Sequence, residues 1–513
     1  MGALDKLGAM MEKDKMATGL RAARHQVCLA ATLAGLGLGL AGAPAWAARD
    51  SYLKGSFGPV VNWPLIPLHV VLLPDGRVLS YGTDAQGNQT GQYIYDVWDP
   101  RAGTDAGSHL TLPNTTPTDI FCSGQIVMPR TGTVLLTGGD RTIDGTRNYS
   151  VNDVTLFDYN SSKLTPTTPM SFLRWYPSVL TTAAGESLVL GGRPAPGETS
   201  PTPEVYTEGV GWRVLSGATS DDAYGSRNWT YPRAWQAPNG KVFIATIWGG
   251  TYYLDPAGTG SLQQTSLKLP TGDPYLPSVM FAPGKILALR TYDIGRVIDI
   301  NGMTPTAKVV TGVGQDRLQG SLTVMADGRV FASGGSMINN VDFGVARTAK
   351  IWNPATSSWS TAATAAKMRL YHSTSLLLPD GRILTGGGGA PGPQTNLNAE
   401  IYTPPYLYKQ DTQGVLASRP SITSAPSTGT WGQVVSVGTD ATAVSKVTLI
   451  KTGSATHTVD FDQRFMTLAY TGSGSNLKVT LPASANVAPP GFYLLFVFDA
   501  AGVPSVARTI KLN

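Results

Sequence analysis

The sequence predicts an all-β protein: a ring of short repeats followed by a smaller β-domain. Three observations predict it. Only 14% of the 513 residues are charged, against 59 Gly and 36 Pro, a turn-rich composition without any short-period Gly repeat. From about residue 60 an apolar run leads into a tight Gly turn and a second apolar run, and this unit recurs seven times. After about Arg419 the rhythm changes to short strands separated by Gly, Pro, Ser and Asn.

The turn glycines are Gly76, Gly132, Gly185, Gly240, Gly284, Gly328 and Gly381, spaced 56, 53, 55, 44, 44 and 53 residues apart. Seven units at this period predict a seven-bladed β-propeller of kelch type. A third strand recurs in each unit, as in Tyr95-Asp96-Val97-Trp98, Glu204-Val205-Tyr206 and Ala349-Lys350-Ile351-Trp352. Its alternation and its fixed aromatic suit a blade that packs on its neighbour. Gly55 to Val61 precede the first unit. They are expected to supply the outer strand of the seventh blade and close the ring, giving a propeller over residues 55–408.

Strands are expected near Val434–Val437, Lys446–Ile450, Phe465–Ala469, Leu477–Leu481, Gly491–Asp499 and Ser505–Leu512. Together they predict an immunoglobulin-like β-sandwich of E-set type over residues 419–513. Pro489-Pro490-Gly491 forces a turn before its most apolar strand.

The apolar run Val27–Ala43 follows Arg21 and Arg24 and precedes Ala45-Trp46-Ala47. This is the pattern of a signal peptide over residues 1–47. The expected location is secreted, periplasmic or cell-surface, with an uncleaved anchor as the alternative. No later segment has eighteen consecutive apolar residues. The formal charge of +5 is weak and scattered, which argues against nucleic acid as a partner. Cys28 lies in the signal, so the exported chain keeps only Cys122 and forms no internal disulfide.

Histidine is scarce: outside the signal there are His69, His109, His372 and His457. No sequence-local zinc signature is present, so a metal site would have to be assembled from separated segments. Tyr371-His372 sits just ahead of a strand. Neighbours in a regular strand point to opposite faces, so both reach one metal only if the backbone is irregular there. Taken alone, the pair reads as structural. So do His457 in a hairpin loop, Cys122 as a small buried residue and Tyr176 before Pro177. The repeat register weakens those readings. Cys122, Tyr176 and Tyr371 each fall just before the first strand of their unit, which brings them to one axial mouth.

These segments resemble the copper radical oxidases, which include galactose oxidase and glyoxal oxidase. The resemblance spans about residues 55 to 513. It is carried by Asp119-Ile120-Phe121-Cys122, Arg174-Trp175-Tyr176-Pro177, Tyr371-His372-Ser373, Gly386 to Gly389, Thr456-His457-Thr458-Val459 and Asp462-Gln463-Arg464. It implies one copper ion held by Tyr176, Tyr371, His372 and His457, and a self-derived radical cofactor in which a thioether joins Cys122 to Tyr176. The implied catalytic residues are Tyr176, Cys122 and Tyr371, the last as general base. The implied partners are a small aldehyde (as its hydrate) or a primary alcohol, together with O2. The products are the acid or aldehyde and H2O2, so peroxide-consuming enzymes are expected downstream. A monomer is expected.

The sequence departs from galactose oxidase within the third unit. Gly191-Gly192 is followed by Arg193-Pro194 where that enzyme has a shielding Trp, and no counterpart of its N-terminal carbohydrate-binding domain is found. Arg174-Trp175-Tyr176 is closer to glyoxal oxidase. Galactose is therefore not the expected substrate. Trp175, Trp229, Trp235 and Trp248 are the candidates for shielding the radical. The alternative function is a non-catalytic, carbohydrate-binding propeller.

Overall fold

All seven turn glycines adopt positive φ, between 66° and 91°, a region open to Gly without a Cβ penalty. Each closes the hairpin between the first two strands of a four-stranded antiparallel unit. The computed structural model describes residues 50–513 except 292, 293 and 461, and only the main chain at 227. The proposed signal peptide, with Cys28, lies outside the described residues. No helix among those described is long and apolar enough to cross a membrane.

The chain is nearly all-β. Sheet one contains His69–Leu72, Val78–Tyr81, Ile94–Trp98 and His109–Pro113. Sheet two begins at Gly124–Val127, sheet three at Trp175–Thr181, sheet four at Arg233–Gln236, sheet five at Ser278–Ala282, and sheet six at Ser321–Val324. Sheet seven takes three strands from Ser373–Leu377, Ile383–Gly387 and Asn398–Thr403. Its outer edge comes from the other end of the chain: Ser56–Phe57 and Val61–Asn62 pair antiparallel with Asn398–Thr403. First strands lie side by side from sheet one to sheet four and from sheet five to sheet seven, and the seventh lies against the first. These strands are buried along most of their length, because both of their faces meet neighbouring sheets.

The C-terminal part forms two further sheets. One contains Ile422–Ser424, Val434–Thr439, Leu477–Thr480 and Tyr470–Thr471. The other contains Thr428–Gly429, Arg508–Leu512, Gly491–Asp499, Val444–Lys451 and Phe465–Leu468. They share a core that includes Val437, Leu449, Val479, Leu495 and Ile510.

One hairpin leaves this core. Ser454–Thr456 pairs with His69–Val71 and so extends sheet one, and Val459–Asp460 folds back on it. Its stem is tied to several sheets. Asp462 accepts Thr181 N at 3.2 Å and Thr181 Oγ1 at 2.9 Å, in sheet three. Gln463 Oε1 accepts Val324 N at 2.8 Å, in sheet six. Arg464 is buried. The Asp462-Gln463-Arg464 motif is thereby explained: it anchors a finger that brings His457 among the first strands.

Candidate metal centre

The centre is built from left-handed residues. Cys122 has φ 55°, Tyr176 65°, His372 64° and His457 43°. A non-Gly residue with positive φ is uncommon, and such strain gathers at functional sites. In sheets two, three and seven the left-handed residue lies two positions before the residue facing the position ahead of the Gly-Gly pair. Gly124 faces Thr137, Ser178 faces Leu190 and Thr374 faces Gly386. The register equivalent of Cys122 and Tyr176 is therefore His372, and Tyr371 precedes it by one. The irregular backbone expected at the pair is present, and it stacks the two rings at 3.7 Å with 25° between their planes.

The Gly386–Gly389 run cradles the pair. Gly388 N donates to His372 O at 3.0 Å, and Gly389 N to Tyr371 O at 2.9 Å. A Cβ on Gly387 would come within 2.6 Å of His372 O, so the approach requires glycine there.

The remaining contacts set the two tautomers. His372 Nδ1 donates to Gly389 O at 2.7 Å. Its Nε2 is buried without a partner and keeps a free lone pair. Thr456 Oγ1 donates to Leu68 O at 3.0 Å, so it accepts from His457 Nδ1 at 2.6 Å. That also frees His457 Nε2, which faces Cys122 Sγ at 3.7 Å. Imidazole ligands are commonly oriented in this way, through the nitrogen that does not bind. Ligand atoms of Cys122, His372 and His457 lie within 4.8 Å of one another.

The phenols complete the cluster. The hydroxyls of Tyr176 and Tyr371 touch. The His457 ring is 4.7 Å from Tyr176, 4.6 Å from His372 and 5.6 Å from Tyr371. Tyr176 N donates to Cys122 O at 3.0 Å, joining sheets two and three. Cys122, Tyr176, His372 and His457 are buried, while Tyr371 is partly exposed.

Burial dominates the electrostatics. It pushes His372 down to about 3 and His457 well below its usual value, so both imidazoles are neutral. It pushes the Tyr176 and Tyr371 phenols and the Cys122 thiol well above theirs. Two neutral imidazoles and two phenols fit a copper ion, which favours nitrogen and oxygen donors and stabilises phenolate.

Several residues fall outside the cluster. His69 is buried against Gln125 and stacks on Tyr81 at 4.4 Å. His109 pairs with Asp96 at 2.7 Å on the outer part of sheet one. Trp175 packs edge-on to Tyr176 at 4.3 Å and Trp229 stands 6.0 Å from it. Trp235 belongs to a separate core between sheets four and five, and Trp248 is 48% exposed. Sequence reasoning missed Tyr231. It is buried, left-handed at φ 39°, and 4.9 Å from both Tyr176 and His457. It lies two residues ahead of Arg233, which faces Ala245 in sheet four. Ala245 follows its turn glycine by five residues, as Thr137, Leu190 and Gly386 follow theirs, so a register counted from the turn would have found it.

Comparison with known proteins agrees with this arrangement. A family model described as galactose oxidase-like, early set domain, matches residues 419–512. A galactose oxidase of Gibberella zeae is 31% identical over 505 residues, covering 90% of this chain and 71% of the relative. Aldehyde oxidase GLOX1 of Arabidopsis thaliana is 24% identical, covering 89% and 86%. A solved fungal alcohol oxidase of the AA5 family, in complex with copper, superposes with a TM-score of 0.79 at 26% identity, over 90% of this chain and all of that one. The chain belongs to the galactose oxidase family of copper radical oxidases. It is a copper-dependent oxidoreductase with O2 as acceptor.

Proposed function

We propose that this protein is an exported mononuclear copper radical oxidase that converts a small aldehyde hydrate or primary alcohol to the acid or aldehyde, with release of H2O2. In this reading residues 1–47 are a signal peptide. Residues 55–408 are a seven-bladed kelch-type propeller whose blades are the seven sheets, and 419–513 are an immunoglobulin-like sandwich. Tyr176, Tyr371, His372 and His457 hold the copper, and the protein acts as a monomer. The observation that carries the proposal is the pair of buried imidazoles, each with its Nδ1 proton engaged and its Nε2 unprotonated, beside two phenols and a thiol. A glycan-binding surface has no use for such a set.

The cofactor is completed by the chain itself. Cys122 Sγ bonds a ring carbon of Tyr176. The S–H and ring C–H bonds break, and O2 takes up the two hydrogens and leaves as peroxide. Bound copper would polarise the substrate hydroxyl and store one of the two electrons. Tyr371, partly exposed at the mouth, takes the hydroxyl proton as general base. Tyr176, once joined to Cys122, would supply the second one-electron oxidant and accept a hydrogen atom from the substrate carbon. O2 then accepts two electrons and two protons. Trp175 and Trp229 cover the Tyr176 ring and keep water from it.

A peroxide-coupled screen of the copper-loaded protein tests this reading, using glyoxal, methylglyoxal, glycolaldehyde, galactose and simple primary alcohols. Peroxide from the aldehydes or alcohols, with little from galactose, is the expected result. Peroxide from none of them contradicts the proposal.

A further inference from the structure

Arg193 ends the second strand of sheet three, directly after Gly191-Gly192. Its guanidinium carbon lies 4.7 Å from the Trp175 ring centre and 4.6 Å from that of Trp229, the two indoles that flank Tyr176. Stacking of this kind holds a guanidinium in place without using its hydrogen-bond donors. Among the described residues no carboxylate pairs with it, and its Nε is buried with no partner. Two other buried arginines pair with carboxylates, Arg174 with Glu204 at 2.9 Å and Arg369 with Glu400 at 3.2 Å, and Arg233 and Arg290 donate to main-chain carbonyls. Arg193 is partly exposed, and its charge also reaches Tyr371.

A partly buried cation with spare donors beside a reaction centre is costly unless something anionic answers it. No acidic side chain does so here. A planar fork fixed on two indoles suits bidentate binding of a carboxylate.

We infer that Arg193 determines specificity by anchoring a substrate carboxylate, so that the preferred substrate is a short aldehyde or primary alcohol carrying a carboxylate. The inference rests on the oxidase reading above. For the simplest such aldehyde, glyoxylate and water and O2 give oxalate, H2O2 and a proton. The carbon loses two electrons and O2 gains them.

The test compares glyoxylate with methylglyoxal, a neutral aldehyde of similar size, in the wild type, Arg193→Met and Arg193→Lys. Arg193→Met should raise KM for glyoxylate by about tenfold, the loss of one charge-assisted contact, while kcat changes less and methylglyoxal is little affected. Arg193→Lys should recover part of the loss, and it stands in if Arg193→Met fails to fold. Tryptophan fluorescence of the copper-free protein supplies a second readout, since Trp175 and Trp229 lie under the guanidinium. Titration with glyoxylate should saturate in the wild type and not in Arg193→Met. An equal loss on both substrates, or the same titration in both proteins, overturns the inference. If no substrate yields peroxide but the titration still depends on Arg193, the carboxylate site stands and the oxidase reading falls.

Discussion

Sheets three and seven use one frame for two purposes. In each, a buried arginine ahead of the first strand reaches across the sheet. Arg174 donates to Gly191 O at 2.6 Å and pairs with Glu204; Arg369 donates to Gly387 O at 2.9 Å and pairs with Glu400. Near the strand start lies a left-handed residue, Tyr176 or His372, whose ring packs on that of the preceding residue. The difference lies in the side chains and in how their rings meet, edge-on in sheet three and stacked in sheet seven. Sheet three presents Trp175-Tyr176, an indole beside an oxidisable phenol. Sheet seven presents Tyr371-His372, a phenol beside an imidazole, which the proposed function reads as a base beside a metal donor. The repeat supplies a backbone frame twice, and in the function proposed above substitution within it divides the chemistry between a radical side and a metal side.

Breaking the frame should have the largest effect. Glu400→Gln or Glu204→Gln leaves a buried arginine without its counter-charge, at a cost of about 3–5 kcal/mol. Both should lower the urea midpoint by similar amounts. If only one does, the two sheets are not energetic equivalents. A smaller effect sharpens the difference between the two imidazoles. His372 is oriented by a main-chain carbonyl that no substitution removes, whereas His457 depends on the Thr456 hydroxyl. Thr456→Val should weaken copper binding by roughly 10–100-fold, read by competition with a chelator, with little change in urea midpoint. Unchanged affinity would show that His457 needs no such orientation.

Much of this was legible in the sequence. The seven glycines at a regular period marked seven turns that all take positive φ, and residues 55–61 were expected beside the seventh unit, where they pair. Tyr371-His372 demanded an irregular backbone, and φ 64° at His372 provides it. The sequence placed Tyr371 in register with Cys122 and Tyr176. The structure puts His372 there, because an irregular turn shifts the count by one residue without any trace in hydrophobic pattern. Tyr231 was legible in principle but was passed over for lack of a neighbouring motif. Which tryptophans cover Tyr176 was not legible, since Trp229 arrives on a connection of its own geometry. Nor was the pairing of Ser454–Thr456 with His69–Val71, a contact between strands almost 400 residues apart in the chain.

The central claim is that residues from sheets two, three and seven and from the C-terminal finger make one copper site. Intact mass after aerobic copper loading tests it most directly. The wild type should lose two hydrogens, tandem fragmentation should locate the bond between Cys122 and Tyr176, and Cys122→Ser should keep its full mass. An unmodified wild-type mass, or the same loss in Cys122→Ser, would contradict the account.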